Sequence, residues 1–228
     1  MVVIVIPVVV IALIPLVISL AQRRDKQIKD LSNAREIVLA LKNFATDHDG
    51  EFPNKQPAAD YERAGELTVS NKSNDAFWWL FPTYLKNEGI FGVRGSAWTP
   101  RAADNILDPE ASGQRLNTLR QGECGYLYVT GLNETSDPKF PLIADAGTAV
   151  NVTVYSKNQA DRGGIWRGKK AVLVFVDGSG SIMDVDDRSN LNGSFVRRPG
   201  HLYNIFTNGQ SGPNDPWLTG RNLVLPPE

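Results

Sequence analysis

The sequence predicts an α+β fold: a long N-terminal helix whose hydrophobic half protrudes, and a C-terminal head of antiparallel β-sheet and long loops packed on its second half. Two observations predict it. The apolar run Val2–Leu20 continues into a stretch of helical periodicity, with no Gly or Pro between Pro15 and Gly50. Further on, short β-branched and aromatic runs are separated by turn residues. The expected division is residues 1–50 for the helix, of which 1–21 are the apolar segment, and 51–228 for the head with an extended tail.

Within the opening run the only non-apolar side chain from Val2 to Leu20 is Ser19, and Pro7 and Pro15 interrupt it. An α-helix crosses a hydrocarbon core of roughly 30 Å with about 20 apolar residues, so the run is just long enough. A cleavable secretory signal has a basic start, a shorter apolar core and an Ala-x-Ala-like exit. None of these is present. Arg23, Arg24 and Lys26 follow the run and no basic residue precedes it. By charge bias alone the head stays cytoplasmic, so an exported head requires basic residues upstream. The expectation is that Met1 is the mature N-terminus, left when a short basic leader is removed.

The second part of the helix carries Ile28, Leu31, Ala34, Val38, Leu41 and Ala45 at spacings of three and four. That is one apolar stripe. "HDGEFPN" ends it, with a Gly stop and Pro53 beyond. Pro15 lacks a backbone donor and clashes with the carbonyl four residues back. A local disturbance near Pro15 is therefore expected.

Net charge is −1, from 24 Lys and Arg against 25 Asp and Glu, so no polyanion-binding surface and no nucleic-acid partner are expected. The single cysteine, Cys124, excludes an internal disulfide and reads as a buried thiol at a strand edge.

In the head, Asp75–Lys86 places Phe77, Leu80, Phe81 and Tyr84 at helical spacing, with Asp75 as N-cap and Trp78 and Trp79 either in the core or at a lateral contact, the core being the favoured place. Gly125–Thr130, Leu142–Ala144 and Ala171–Val176 read as strands. Asp177-Gly178 is a hairpin signal leading to a strand over Ser181–Val185. After Asn190 periodicity is weak, yet Phe195, Tyr203, Ile205, Phe206, Trp217 and Leu223 are too apolar for a solvated tail.

Catalytic patterns are missing: no G-x-S-x-G, no phosphate-cradling Gly loop and no His/Cys metal spacing. His48 and His201 read as loop residues. The expectation is a protein that is not an enzyme and needs no cofactor. "DGSGSIMDVDD" gathers Asp177, Asp184, Asp186 and Asp187 around a turn. Its spacing is not that of an EF-hand loop. Two accounts stand: a hairpin with a solvated acidic end, and a structural calcium held by Asp177, Asp184 and Asp186. The sequons at Asn71, Asn133, Asn151 and Asn192 mark surface loops.

The apolar start, the continuous helix and "AREIVLALKNFATDHDGEFPN" resemble the bacterial type IV pilins and type II secretion pseudopilins. "NDAFWWLFPTYLKNEGIFGVRGSAWT", "GECGYLYVTGL" and "KKAVLVFVDGSGSIMDV" resemble the heads of large pseudopilin-like proteins of the Planctomycetes and Verrucomicrobia type. The resemblance implies a filament subunit that is a helical homopolymer, resident in the inner membrane before assembly and then in an extracellular or periplasmic filament. Its partners are copies of itself and the pilus or secretion assembly machinery. It also implies calcium in the late part of the head, and a rod melted near Ile11–Ser19 in the filament. Family members carry Glu at the fifth mature position, where Val5 stands here, and Pro7 is also unusual. Met1, Val5, Pro7 and Pro15 are thus the residues that bear on assembly. Many relatives also carry a His separated by nine residues from Asp-Gly, where Arg167 stands here. The alternative reading is a single-pass membrane-anchored periplasmic binding module that does not polymerise.

Overall fold

The computed structural model describes residues 2–54, 70–109, 113–187, 194–207 and 217–228, and within the first helix the side chains of residues 15 and 17–47. Helix α1 spans Val2–Asp47, 46 residues. At 1.5 Å per residue it is about 69 Å long. It ends as "HDG" requires: Asp49 and Gly50 take φ of 54° and 81°, and Gly50 N–H donates to Ala45 O at 2.8 Å.

The buried face of α1 is Asp30, Ala34, Ile37, Val38, Ala40, Leu41, Phe44 and Ala45, the three-and-four spacing of a single stripe. The stripe begins later than the sequence suggests. Ile28 is 52 % exposed, and Leu31 only packs against the core's margin. The reason is where the head ends: Tyr126 O–H reaches Asp30 O at 3.0 Å, and the residues from Leu20 to Lys26 are exposed.

Six strands form one antiparallel sheet: β1 Tyr126–Val129, β2 Pro141–Asp145, β3 Lys170–Phe175, β4 Gly180–Asp186, β5 Phe195–Val196 and β6 Val224–Leu225. Their order is β5-β4-β3-β2-β1-β6, a meander closed by a strand that returns from the tail. Helix α1 lies on β2, β3 and β4. Strands β1 and β2 are buried at every position, so this part of the sheet is covered on both faces, whereas β4 is buried only at Val185. Irregular segments complete the cover, with Tyr155, Trp166, Ile205 and Trp217 in the same core.

The β3–β4 hairpin turns at Asp177-Gly178, as its sequence indicates. Gly178 sits at φ 85° and Phe175 N–H donates to Ser179 O at 2.8 Å. The helix expected over Asp75–Lys86 is a correction. Helix α2 covers only Ser73–Trp78, Lys72 occupies its N-cap without a side-chain bond, and turns follow. Pro82 supplies the reason, since it has no N–H and disfavours helical backbone in the residue before it. Phe77, Leu80, Phe81 and Trp78 are buried nonetheless, and Trp79 is half-buried.

The tail does pack on the head. Ile205, Phe206, Trp217, Leu218 and Leu225 are buried, while Tyr203 and Leu223 point outward at 63 % and 46 % exposure. Arg115 ties the chain's late end to α2, with Nε 2.8 Å from Asp75 and a second nitrogen 2.5 Å from Glu228. Asp75, expected as a cap, is therefore an ion-pair partner.

Candidate functional site

The first candidate is the uncovered part of α1. Val17, Ile18 and Leu20 are 63, 50 and 56 % exposed, and Arg23, Arg24 and Lys26 are exposed beside them. Met1 lies outside the described residues, and so do the side chains of Val5 and Pro7. The backbone stays helical through Pro15, whose ring is exposed. The disturbance expected there is therefore corrected for the single chain, because one missing donor does not break a helix satisfied on either side of it. Among the described residues no helix is long and apolar enough to cross a membrane.

The acidic group of the β3–β4 hairpin is a second correction. Asp177 sits in the turn and accepts from Ser179 N–H at 2.7 Å, beside a groove of about 420 Å³ lined also by Arg198 and Trp217. Asp184 pairs Lys170 Nζ at 2.7 Å across the hairpin, and Asp186 pairs Arg197. Since strands rise about 3.3 Å per residue, the register Lys170↔Asp184 against Val174↔Gly180 places Asp184 far down the ladder from the turn. Asp177, Asp184 and Asp186 do not converge on one ion. Asp187 also has its own cation, with Lys157 Nζ at 2.6 Å.

The histidines and the cysteine take the structural places expected. His48 stacks on Phe44 with ring centroids 3.8 Å apart, and its Nδ1 is 2.7 Å from Phe44 O. Cys124 is buried just ahead of β1, and burial pushes its thiol up to about 11. Asn133 and Asn151 lie in surface turns that their own side chains close onto Thr135 and Thr153. Asn192 lies outside the described residues.

Sequence reasoning missed two buried carboxylates where α1 meets the sheet. Asp30 and Asp145 are 2 % and 1 % exposed. Burial pushes Asp30 up to about 7 against the pull of Lys29 and Lys26. Burial, aided by the charge of Asp30, raises Asp145 to about 8, while Val172 N–H donates to its Oδ1 at 2.7 Å. Tyr155 O–H and Tyr126 O–H close the region by donating to Asp145 O and Asp30 O, each at 3.0 Å. A signal for Asp30 existed: it falls on the apolar stripe, four residues before Ala34.

Fold and site together define a class, an α+β protein in which the described side chains of the long helix are buried by the head only from Asp30 onward. Comparison with family models, curated proteins and solved structures finds no match to this chain.

Proposed function

We propose that the chain is a structural subunit of a type IV pilus-like or pseudopilus filament, polymerising by burying residues 1–21 against the same segment of neighbouring copies. One observation carries the reading. Among the described side chains of this 46-residue helix none is buried before Asp30, and Val17, Ile18, Leu20 and Ile28 are half or more exposed. Full burial of such a side chain contributes about 1.5–3 kcal/mol. The run Val2–Leu20 multiplies that gain along the rod.

The head leaves Val17, Ile18 and Leu20 uncovered, so lipid covers the run before assembly and other copies cover it after. A contact between rod and rod repeated around an axis is heterologous, and it builds an open helix rather than a closed ring. Arg23, Arg24 and Lys26 at the end of the run suit the headgroup level of the inner membrane. The head then forms the outer surface of an extracellular or periplasmic filament.

Negative-stain microscopy of sheared surface material, with an antibody against the head, tests the reading. Labelled fibres are the expected result. Head antigen that stays with the membrane fraction, with no fibres, favours the monomeric anchored module and overturns the filament.

A further inference from the structure

Three carboxylates distant from the hairpin converge ahead of β1. Glu88 opens the 3-10 turn Glu88–Phe91, Asp104 lies in the loop after that turn, and Glu123 precedes Cys124 at the entrance to β1. One oxygen from each lies within 4.8 Å of the other two. Two oxygens on a single calcium-sized ion, each 2.3–2.6 Å from it, are at most about 5 Å apart. An ion centred among three such oxygens lies at most about 2.8 Å from each, close to the calcium–oxygen range.

Glu88 carries the inference. It is 0 % exposed, its Oε1 accepts from Leu119 N–H at 2.5 Å, and its Oε2 is buried with no hydrogen-bond partner. Buried carboxylate oxygens are ordinarily satisfied, so this one points to a missing positive partner. Its backbone N–H is held by Asn105 Oδ1 at 2.9 Å, which fixes the residue from the other side. Burial first, and then the charges of Glu123 and Asp104, push the Glu88 carboxyl above its usual range. Glu123 is 5 % exposed and accepts from Arg120 N–H at 2.7 Å.

Arg120 is the cation that faces the group, with one guanidinium nitrogen 3.3 Å from Asp104 Oδ2. Its side chain is 47 % exposed and also donates to Asn117 Oδ1. Three carboxylates against one guanidinium leave two negative charges, the complement of a divalent cation. We propose that Glu88, Asp104 and Glu123 bind a hard divalent cation of calcium size. Oxygen-only donors favour calcium, magnesium or manganese over zinc or copper. The exposure of Asp104 opens the site to solvent, so water completes the shell. The ion ties the 3-10 turn, the following loop and the entrance to β1 into one unit, independently of whether the chain polymerises.

Calorimetric titration of calcium chloride into the full chain in detergent, stripped with chelator, tests this alongside thermal melting. The expected result is one equivalent bound and a higher Tm with calcium. Asp104→Asn keeps the acceptor for Ile106 N–H and should fold normally, yet weaken binding by about tenfold or more. Glu123→Gln should do the same. Arg120→Ala removes the competing cation and should tighten binding, while Asp184→Asn in the hairpin should change nothing. Absence of binding heat with an unmoved Tm at millimolar calcium overturns the proposal. So does wild-type affinity in Asp104→Asn and Glu123→Gln, or loss of binding in Asp184→Asn.

Discussion

At Asp145 a carboxyl is enclosed by the sheet and by α1, with one oxygen taking the Val172 N–H. In an unfolded chain an aspartate loses its proton near pH 3.9, whereas burial lets Asp145 keep its proton to about pH 8 and Asp30 to about pH 7. Between those limits the folded state binds more protons than the unfolded one. Stability is therefore greatest at the acid end of the window, and falls as pH rises from about 4 through 8. Asp145→Asn preserves the acceptor for Val172 and removes the charge. At pH 9 it should stabilise by on the order of 1–3 kcal/mol, and near pH 5 it should be close to neutral. Melting curves at the two pH values decide; an equal effect at both rejects a buried ionisation. Neither aspartate announces itself by motif. Asp30 occupies a stripe position where an apolar residue is expected, and Asp145 ends a strand with no partner marked in the chain.

Among the elements, the β3–β4 hairpin shows how the helix chooses its seat. A Cβ on Gly180 would come within 2.7 Å of Leu31 Cδ1, 3.0 Å of Arg35 Nε and 3.1 Å of Val174 Cγ2. The Arg35 guanidinium also donates to Gly180 O at 2.9 Å, so side chains of the helix pack directly on the strand's backbone. Gly180→Ala should cost about 1–3 kcal/mol through overpacking, read as a lower midpoint in urea at unchanged slope. An unchanged midpoint would mean that α1 slides on the sheet. The strands of this region were legible because "AVLVFV" and Asp177-Gly178 carry both the run and its turn. The short β6 was not legible. Val224–Leu225 becomes a strand only because Tyr128 and Val129 offer it an edge.

For the whole molecule the dividing line is Asp30. The core draws on α1 from Ala34, with Leu31 at its margin, on the six strands and on the tail, and among the described residues none of its members lies before Asp30. Removal of residues 1–21 should therefore leave a folded, soluble monomer with the thermal stability of the head intact. Circular dichroism and sedimentation velocity measure this. An unfolded product, or one that still forms fibres, would transfer folding or assembly to the head itself.

What the sequence determined alone is whatever depends on neighbours in the chain. The length of α1 follows from the apolar run Val2–Leu20 and the stretch without Gly or Pro between Pro15 and Gly50, its end from Asp49-Gly50, and the hairpin from Asp177-Gly178. The stop of α2 was equally local, being written in Pro82. Tertiary structure alone decided which charges meet. Asp177, Asp184 and Asp186 are close in the chain, yet the ladder spreads them apart and gives two of them cations of their own. Glu88, Asp104 and Glu123 are far apart in the chain, yet loops fold them within 4.8 Å of one another. Strand geometry separates residues along its axis at a fixed rise, while loops impose no such spacing, so a cluster of acids in sequence and a cluster in space are different things.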